Sequence, residues 1–351
     1  MHNKDTVPVR NGENIDLSAL QQWLDKHAPE LGRITAITQF PGGFSNLTYL
    51  LETPEKPYVL RRPPMGANIK SAHDMGREFK VLSLLKGHYD KIPAPLVHCE
   101  TPEVMGAPFY IMERLEGLIL RPNNAPKLAL SPEQWRTLSA ALVDNLVDIH
   151  ALDIERCGLA PLGKPEGYVQ RQVEGWTKRY YAAETETIAA LDEVAQWLQP
   201  NLPPAQMPAF LHNDYKFDNV LFDPTELRQV TGVLDWEMST LGDPLMDLGA
   251  ALAWWIEAGD GTAMYAYNAT WLPGNLTRQE AAARYAEKSG RNLDHIVFYY
   301  VFGLFKNAVI GQQIYARWKQ GLTQDPRFGH LLPMIKGLGE KGRDALNSGK
   351  I

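Results

Sequence analysis

Two short stretches concentrate the chemistry-bearing side chains of this sequence: His212-Asn213-Asp214-Tyr215-Lys216-Phe217-Asp218-Asn219 and, after a gap, Val233-Leu234-Asp235-Trp236-Glu237. Asp214, Asn219 and Asp235 supply hard oxygen ligands and a general base, and oxygen donors with little sulfur or imidazole suit Mg2+ better than zinc. The first stretch lies between the apolar Phe210-Leu211 and a β-type run at 220–222. Its polar side chains therefore belong to a loop fed by apolar elements, the usual setting for reactive groups on a rigid scaffold. A solvated, turn-forming loop is the competing reading, and the order of the surrounding elements decides between the two.

Those elements change character along the chain. Apolar spacing predicts a helix at 15–27, then β-type runs at 34–40, 48–52 and 58–61, the first two flanking a turn built on Gly42 and Gly43. A helix follows at 72–85, with Phe79, Leu82 and Leu85 on one face, and then strands at 96–99 and 109–112. Beyond Gly117 helices dominate. Ser131-Pro132-Glu133 opens one by N-cap and first-position proline, running to His150. Further helices are expected at 168–183, 185–198, 245–255, 280–289 and 293–318, with β runs at 219–222 and 229–234. The boundary falls near 115–117, dividing a sheet-rich lobe (1–115) from a larger helical one (116–351).

Composition narrows the class. The chain has 351 residues, 44% of them hydrophobic, which suffices for a substantial core without staples. Lys and Arg number 35 against 41 Asp and Glu, a net charge of −6, and no Lys/Arg run exceeds two residues. Neither a nucleic-acid groove nor an anionic-membrane surface is expected from that balance. The longest apolar stretch, 296–305, is closed by Lys306 and is too short to span a bilayer. The amino terminus has no apolar core of a secretory signal. Cys99 and Cys157 are the only cysteines and form no CxxC pair, which fits a reducing, cytoplasmic setting.

His-x-Asp-x-Lys-x-x-Asn followed by a later Asp resembles the catalytic loop and metal-binding aspartate of the protein-kinase-like superfamily. More closely the pattern, with Gly242-Asp243-Pro244-Leu245-Met246-Asp247-Leu248-Gly249 downstream, resembles the aminoglycoside phosphotransferase family. The resemblance implies an α+β, protein-kinase-like, two-lobed fold: a small N-lobe with antiparallel sheet and helix binding ATP, and a mainly helical C-lobe holding the catalytic loop and acceptor site. It implies that Asp214 is the base at the acceptor hydroxyl, Lys216 contacts the transferred phosphate, Asn219 and Asp235 bind Mg2+, and His212 and Asp247 brace the loop. Phosphoryl transfer needs those groups, because its barrier yields to charge neutralisation and in-line placement more than to covalent help.

The same resemblance assigns nucleotide contacts upstream. Gly42, Gly43, Ser45 and Asn46 sit where a phosphate-covering turn belongs, Arg61 on the third strand pairs with Glu78 on the helix, and Met112, Glu113 and Leu115 line the adenine pocket. Three departures stand out: no full GxGxxG, Arg61 in place of lysine, and Asp-Trp-Glu in place of Asp-Phe-Gly. The absence of a long activation segment after Asp235 argues against protein substrates.

A narrower resemblance covers Tyr58–Pro64, the 72–79 segment, 168–176 and 235–240. These are similar to the branch that includes the kinase domain of acyl-CoA dehydrogenase family members 10 and 11 and bacterial hydroxyacyl-CoA kinases. That branch implies a small-molecule hydroxyl acceptor, a hydroxyacyl-CoA such as a 4-hydroxyacyl-CoA; a monomer or homodimer is expected. An aminoglycoside, choline or sugar acceptor is the alternative, and a nucleotide-binding pseudokinase the alternative outside enzymes. Trp254, Trp255, Phe298, Tyr299, Tyr300, Phe302 and Phe305 form an aromatic, nearly uncharged set. An acyl chain would suit such a surface, whereas a polycationic acceptor calls for carboxylates; helical-period aromatics also read as core. Arg171, Lys178 and Arg179 are candidates for CoA phosphates or a solvated face.

Overall fold

The structure, a computed structural model, describes residues 5–41, 46–64, 74–323 and 325–351. Contacts divide the chain into two compact units: Met1–Glu116 with Gly232–Met238, and Gly117–Thr231 with Ser239–Ile351. The segment that carries Asp235 thus belongs to the sheet-rich unit, although it interrupts the sequence of the helical one.

The first unit contains α1 (Leu17–His27), β1 (Ala36–Gln39), β2 (Leu47–Glu52), β3 (Tyr58–Arg62), α2 (Met75–Leu85), β4 (Pro95–Cys99) and β5 (Phe109–Glu113). The five strands form one antiparallel sheet in the order β1-β2-β3-β5-β4, with Leu50 opposite Val59 and Val59 opposite Met112. Asp16 and Asp74 start α1 and α2 by accepting the N–H groups of Ala19 and Arg77, which satisfies donors the first helical turn leaves open. Leu20 and Leu24 of α1 close a core with Tyr49, Leu51, Leu60, Phe109 and Ile111, all buried. The 232–238 segment is held in this unit by three links. Val233 N–H donates to Lys91 O (2.8 Å), Trp236 Nε1 donates to Val233 O (2.9 Å), and the buried Trp236 ring meets Tyr89 edge-on.

The second unit contains β6 (Leu118–Ile119), α3 (Pro132–His150), α4 (Tyr168–Ala182), α5 (Ala189–Leu198), β7 (Ala209–Leu211) and β8 (Val220–Phe222). It continues through β9 (Val230–Val233), which leads into the 232–238 segment, to β10 (Thr240–Gly242), α6 (Pro244–Ala253), α7 (Arg278–Ser289), α8 (Ile296–Lys319) and α9 (Leu332–Ser348). Ser131 and Gln134 form a reciprocal capping box at the start of α3, as Thr277 and Glu280 do for α7. β7 pairs antiparallel with β10, and β6 with β8.

Glycine sets the closest helix contact. A Cβ at Gly249 of α6 would lie 2.2 Å from the Tyr299 carbonyl oxygen, and one at Gly303 of α8 would lie 2.3 Å from the Gly249 carbonyl oxygen. The two backbones therefore touch with nothing between them, and α6 and α8 pack as one body.

Three sequence expectations need correction. α5 starts at Ala189, not 185, and α9 and the short β6, β7 and β10 were not foreseen. Trp255, Phe298, Tyr299, Tyr300, Phe302 and Phe305 are buried, so they are core rather than an acyl surface; only Trp254 of that set is part-exposed. Arg171 donates to the carbonyls of Lys164 and Glu166 and thereby closes the turn before α4.

Candidate active site

In the first unit a buried ion cluster forms around Arg61. The strand pairing places Arg61 opposite Tyr110 and turns its guanidinium to α2. Nη1 meets Glu78 Oε1 at 3.0 Å, while Nη2 donates to Asp235 Oδ1 at 2.9 Å and lies 3.8 Å from Glu237 Oε2. Arginine can do this because its planar fork reaches two carboxylates at once, which a lysine ammonium on a flexible stem does less well. Burial opposes the charge on Arg61, but Glu78 and Asp235 outweigh it and hold the guanidinium well above its ordinary value. Burial likewise pushes the Glu78 carboxyl up, against the pull of Arg61. Asn46, at the edge of β2, donates its Nδ2 to Glu237 Oε2 at 2.5 Å. Asp235 itself sits at φ 66°, a left-handed conformation that Asn and Asp tolerate better than most side chains.

In the second unit the loop between β7 and β8 arranges Asp214 through its own neighbours. Lys216 Nζ spans both Asp214 oxygens at 2.8 and 2.9 Å, and Asn219 Nδ2 donates to Asp214 Oδ2 at 2.9 Å and to its carbonyl at 2.8 Å. His212 is fully buried and its Nδ1 accepts the Asp214 N–H at 3.2 Å. Tyr215 ties the loop to α3, donating to Leu142 O and accepting from Asn145 Nδ2, each at 2.9 Å.

Asp247 organises the loop from α6. Its Oδ2 accepts the His212 N–H at 2.6 Å and its Oδ1 accepts the Asn213 N–H at 2.9 Å. His150 Nε2 stands 3.2 Å from the same Oδ2, with its Nδ1 2.7 Å from the Tyr285 hydroxyl. Burial would raise this carboxyl, yet the His150 hydrogen bond and charge, with the His212 N–H, keep it below the usual carboxylate range. The Gly-Asp-Pro-x-x-Asp motif has a plain physical reading here. A Cβ at Gly242 would strike the Tyr168 ring at 2.6 Å, Asp243 caps α6 by accepting the Leu245 N–H, Pro244 begins the helix, and Asp247 emerges one turn later.

The expected residues thus gather in two groups: Asn46, Arg61, Glu78 and Asp235 in the first unit, and His212, Asp214, Lys216, Asn219 and Asp247 in the second. Gly42, Gly43 and Ser45 lie outside the described residues. Met112 is buried on β5. The Glu113 N–H donates to Ala94 O and its carboxylate pairs with Lys56, so an adenine contact by Glu113 would have to use its carbonyl. Glu237, the acidic residue of the Asp-Trp-Glu motif, joins the first group, and residues not foreseen include His150 and Lys306, the latter donating from α8 to Asn213 O at 2.8 Å. A buried lysine closing an apolar helical stretch was the one signal for Lys306.

In the first unit Asp235 and Glu237 offer carboxylate oxygens, the donor type that suits Mg2+. Among the described residues no group of three or more His, Cys, Asp or Glu is arranged to hold a metal by itself. Mg2+ commonly takes one or two protein ligands and completes its shell with phosphate and water.

An antiparallel sheet whose strand Arg61 pairs with the helix Glu78, joined in sequence to a helical unit presenting Asp214 and Asn219 on a loop, defines a protein-kinase-like, two-lobed α+β fold. A family model described as the phosphotransferase enzyme family matches residues 36–285, and the chain belongs to that family. It is 35% identical over 91% of its length to acyl-CoA dehydrogenase family member 11 of Rattus norvegicus, and 35% identical over 89% to family member 10 of Mus musculus. It spans 42% and 29% of those two relatives. A Ralstonia eutropha structure, provisionally named an aminoglycoside phosphotransferase, is 31% identical with a TM-score of 0.79, covering 95% of this chain and 99% of that one. The choline kinase LicA of Streptococcus pneumoniae shares the fold at 16% identity and a TM-score of 0.58, covering 93% and 99%. No helix among the described residues is long and apolar enough to cross a membrane.

Proposed function

We propose that this enzyme transfers the γ-phosphoryl group of ATP to the hydroxyl of a hydroxyacyl-CoA, with a 4-hydroxyacyl-CoA as the leading substrate. In the transfer the acceptor oxygen forms a bond to the γ-phosphorus as the bond to the β,γ-bridging oxygen breaks, ADP leaves, and the hydroxyl proton passes to Asp214. Lys216, already on both Asp214 oxygens, supplies positive charge to the moving phosphoryl group. Arg61, Glu78 and Asn46, with Gly42, Gly43 and Ser45, serve the ATP phosphates. Met112, Glu113 and Leu115 serve the adenine. Asn219 and Asp235 would hold Mg2+, which when bound neutralises phosphate charge.

The surroundings of Asp214 carry the substrate reading. Lys216 Nζ lies 5.6 Å over the part-exposed Trp254 ring, and the Arg179 guanidinium lies 4.7 Å over the Trp176 ring. Cations set against tryptophans favour an acceptor bearing anionic and apolar parts; a polycationic aminoglycoside calls for carboxylates in those places. The relatives named for acyl-CoA dehydrogenation point to the same substrate class. ADP release should be measured with Mg·ATP and 4-hydroxyacyl-CoA thioesters, the matching free acids, or kanamycin. Turnover with thioesters alone is expected, and turnover with kanamycin alone would overturn the assignment.

A further inference from the structure

Residue 213 is gripped at both ends. Its N–H donates to Asp247 Oδ1 at 2.9 Å, and its carbonyl accepts from Lys306 Nζ at 2.8 Å. Between these two anchors Asn213 adopts φ 67°, a left-handed conformation uncommon for any residue with a Cβ, though Asn adopts it more readily than most. The next residue is Asp214. The two anchors come from α6 and α8, whose backbones meet at Gly249 and Gly303, and Tyr299, seven residues before Lys306, reaches back to Asp243 Oδ2 at 2.8 Å. Seven residues is two helical turns, so Tyr299 and Lys306 lie on the same face of α8.

The choice of side chain is costly. Lys306 is 4% exposed at the end of an apolar run, and burying an ammonium carries a large desolvation penalty before its partners respond. Burial pushes its ammonium below the usual lysine range, while the carboxylates of Asp247 and Asp214 push back and Lys216 adds to the fall. A hydrophobic residue would pack there without that cost, so the charge has another use.

We propose that Lys306 is a positioning residue for phosphoryl transfer, holding the 213–214 peptide in its left-handed turn and thereby setting the direction of the Asp214 carboxylate. The proposal rests on the role of Asp214 given above. With the clamp intact the carboxylate faces the acceptor hydroxyl in one orientation; without it the loop relaxes toward common backbone conformations and Asp214 swings with it.

The test compares parent enzyme with Lys306→Met, Lys306→Gln and Lys306→Arg by two readouts. One is amide hydrogen exchange across 209–219 in the enzyme without substrate; the other is steady-state ADP release with Mg·ATP and 4-hydroxypentanoyl-CoA. For Lys306→Met, exchange at 212–216 should rise about tenfold with α3 unchanged, and kcat should fall about thirtyfold with KM for ATP held within twofold. Lys306→Gln and Lys306→Arg, which keep a donor, should restore much of the protection and part of kcat. Unchanged loop exchange in Lys306→Met, an equal rise across the whole second unit, or a kcat within threefold of the parent would overturn the proposal. If the parent turns over none of the thioesters, the substrate assignment fails, and the exchange comparison still decides whether Lys306 clamps the loop.

Discussion

Arg61 and Asp247 are both buried charges at the centre of a polar cluster, yet they hold their neighbours in opposite ways. Arg61 binds side chains: Glu78, Asp235 and, at longer range, Glu237. Asp247 binds main chain: the N–H groups of His212 and Asn213, with His150 as a side-chain partner. A cluster of side-chain charges can rearrange when a phosphate or a cation enters, because every member can turn about its own torsions. A carboxylate holding two consecutive amides fixes backbone, and the group carried by that backbone keeps its direction. On the proposed assignment, the first arrangement suits a region that accepts and releases a highly charged nucleotide, and the second suits a base that points one way. Each region nonetheless contains a non-glycine residue at positive φ, Asp235 at 66° and Asn213 at 67°, beside the group that would touch substrate or metal.

Substitutions separate the two modes. Asp214→Asn keeps shape and removes the base, so kcat should drop about a thousandfold, with ATP affinity by calorimetry nearly unchanged. Unaltered turnover would remove Asp214 from its role. Asp247→Asn should cost about 3 kcal/mol of unfolding free energy, because it strips a paired charge from a buried site. That loss should depend on pH. A carboxyl held below the ordinary 3.8 stabilises the fold fully above that value and progressively less as pH falls through its folded-state value. Urea melts of the parent should therefore weaken below about pH 4, more steeply than those of the variant.

Arg61→Lys tests the other mode. A point charge cannot bridge Glu78 and Asp235 as the fork does, so the Kd for Mg·ATP should weaken about tenfold, or 1.4 kcal/mol, while stability changes little. A variant that loses stability but binds ATP normally would make the Arg61 cluster a structural brace like Asp247. The smallest effect is expected at the strained turn. Asn213→Ala should cost about 1 kcal/mol by denaturant titration, and Asn213→Gly close to nothing, since glycine adopts positive φ freely. Equal costs for the two would mean that the side chain, whose Oδ1 accepts from the Tyr168 hydroxyl at 3.4 Å, matters more than the backbone.

Much of both clusters was legible in the sequence, for reasons these residues make plain. His212, Asp214, Lys216 and Asn219 fall within eight positions, so their types and spacing survive as a pattern. The Arg61–Glu78 pair was legible from a strand and the helix after it. Lys306 and His150 were not, because each meets its partner across more than ninety residues of chain and neither belongs to a local motif. α9 was hidden by Gly337, Gly339 and Gly342, poor helix formers that lower any propensity reading. A Cβ at Gly339 would lie 2.9 Å from the Leu191 side chain, so the residue that obscures the helix in sequence is the one that lets it dock on α5. The aromatic run of α8 was ambiguous for the converse reason: core and pocket use the same side chains, and only packing tells them apart.

The membership of Gly232–Met238 in the first unit has a consequence for the order in which the protein is made. Translation delivers the sheet, α1 and α2 early, but Asp235, Trp236 and Glu237 emerge only after the whole of Gly117–Thr231. Until then the nascent amino-terminal unit lacks the Trp236 wedge against Tyr89 and two of the carboxylates that neutralise Arg61. Its completion waits on a long-range closure, which places it among slow-folding topologies although its sheet is small and antiparallel. A gene cut after residue 116 would therefore encode an amino-terminal piece with a missing internal part, and no single cut yields two whole halves.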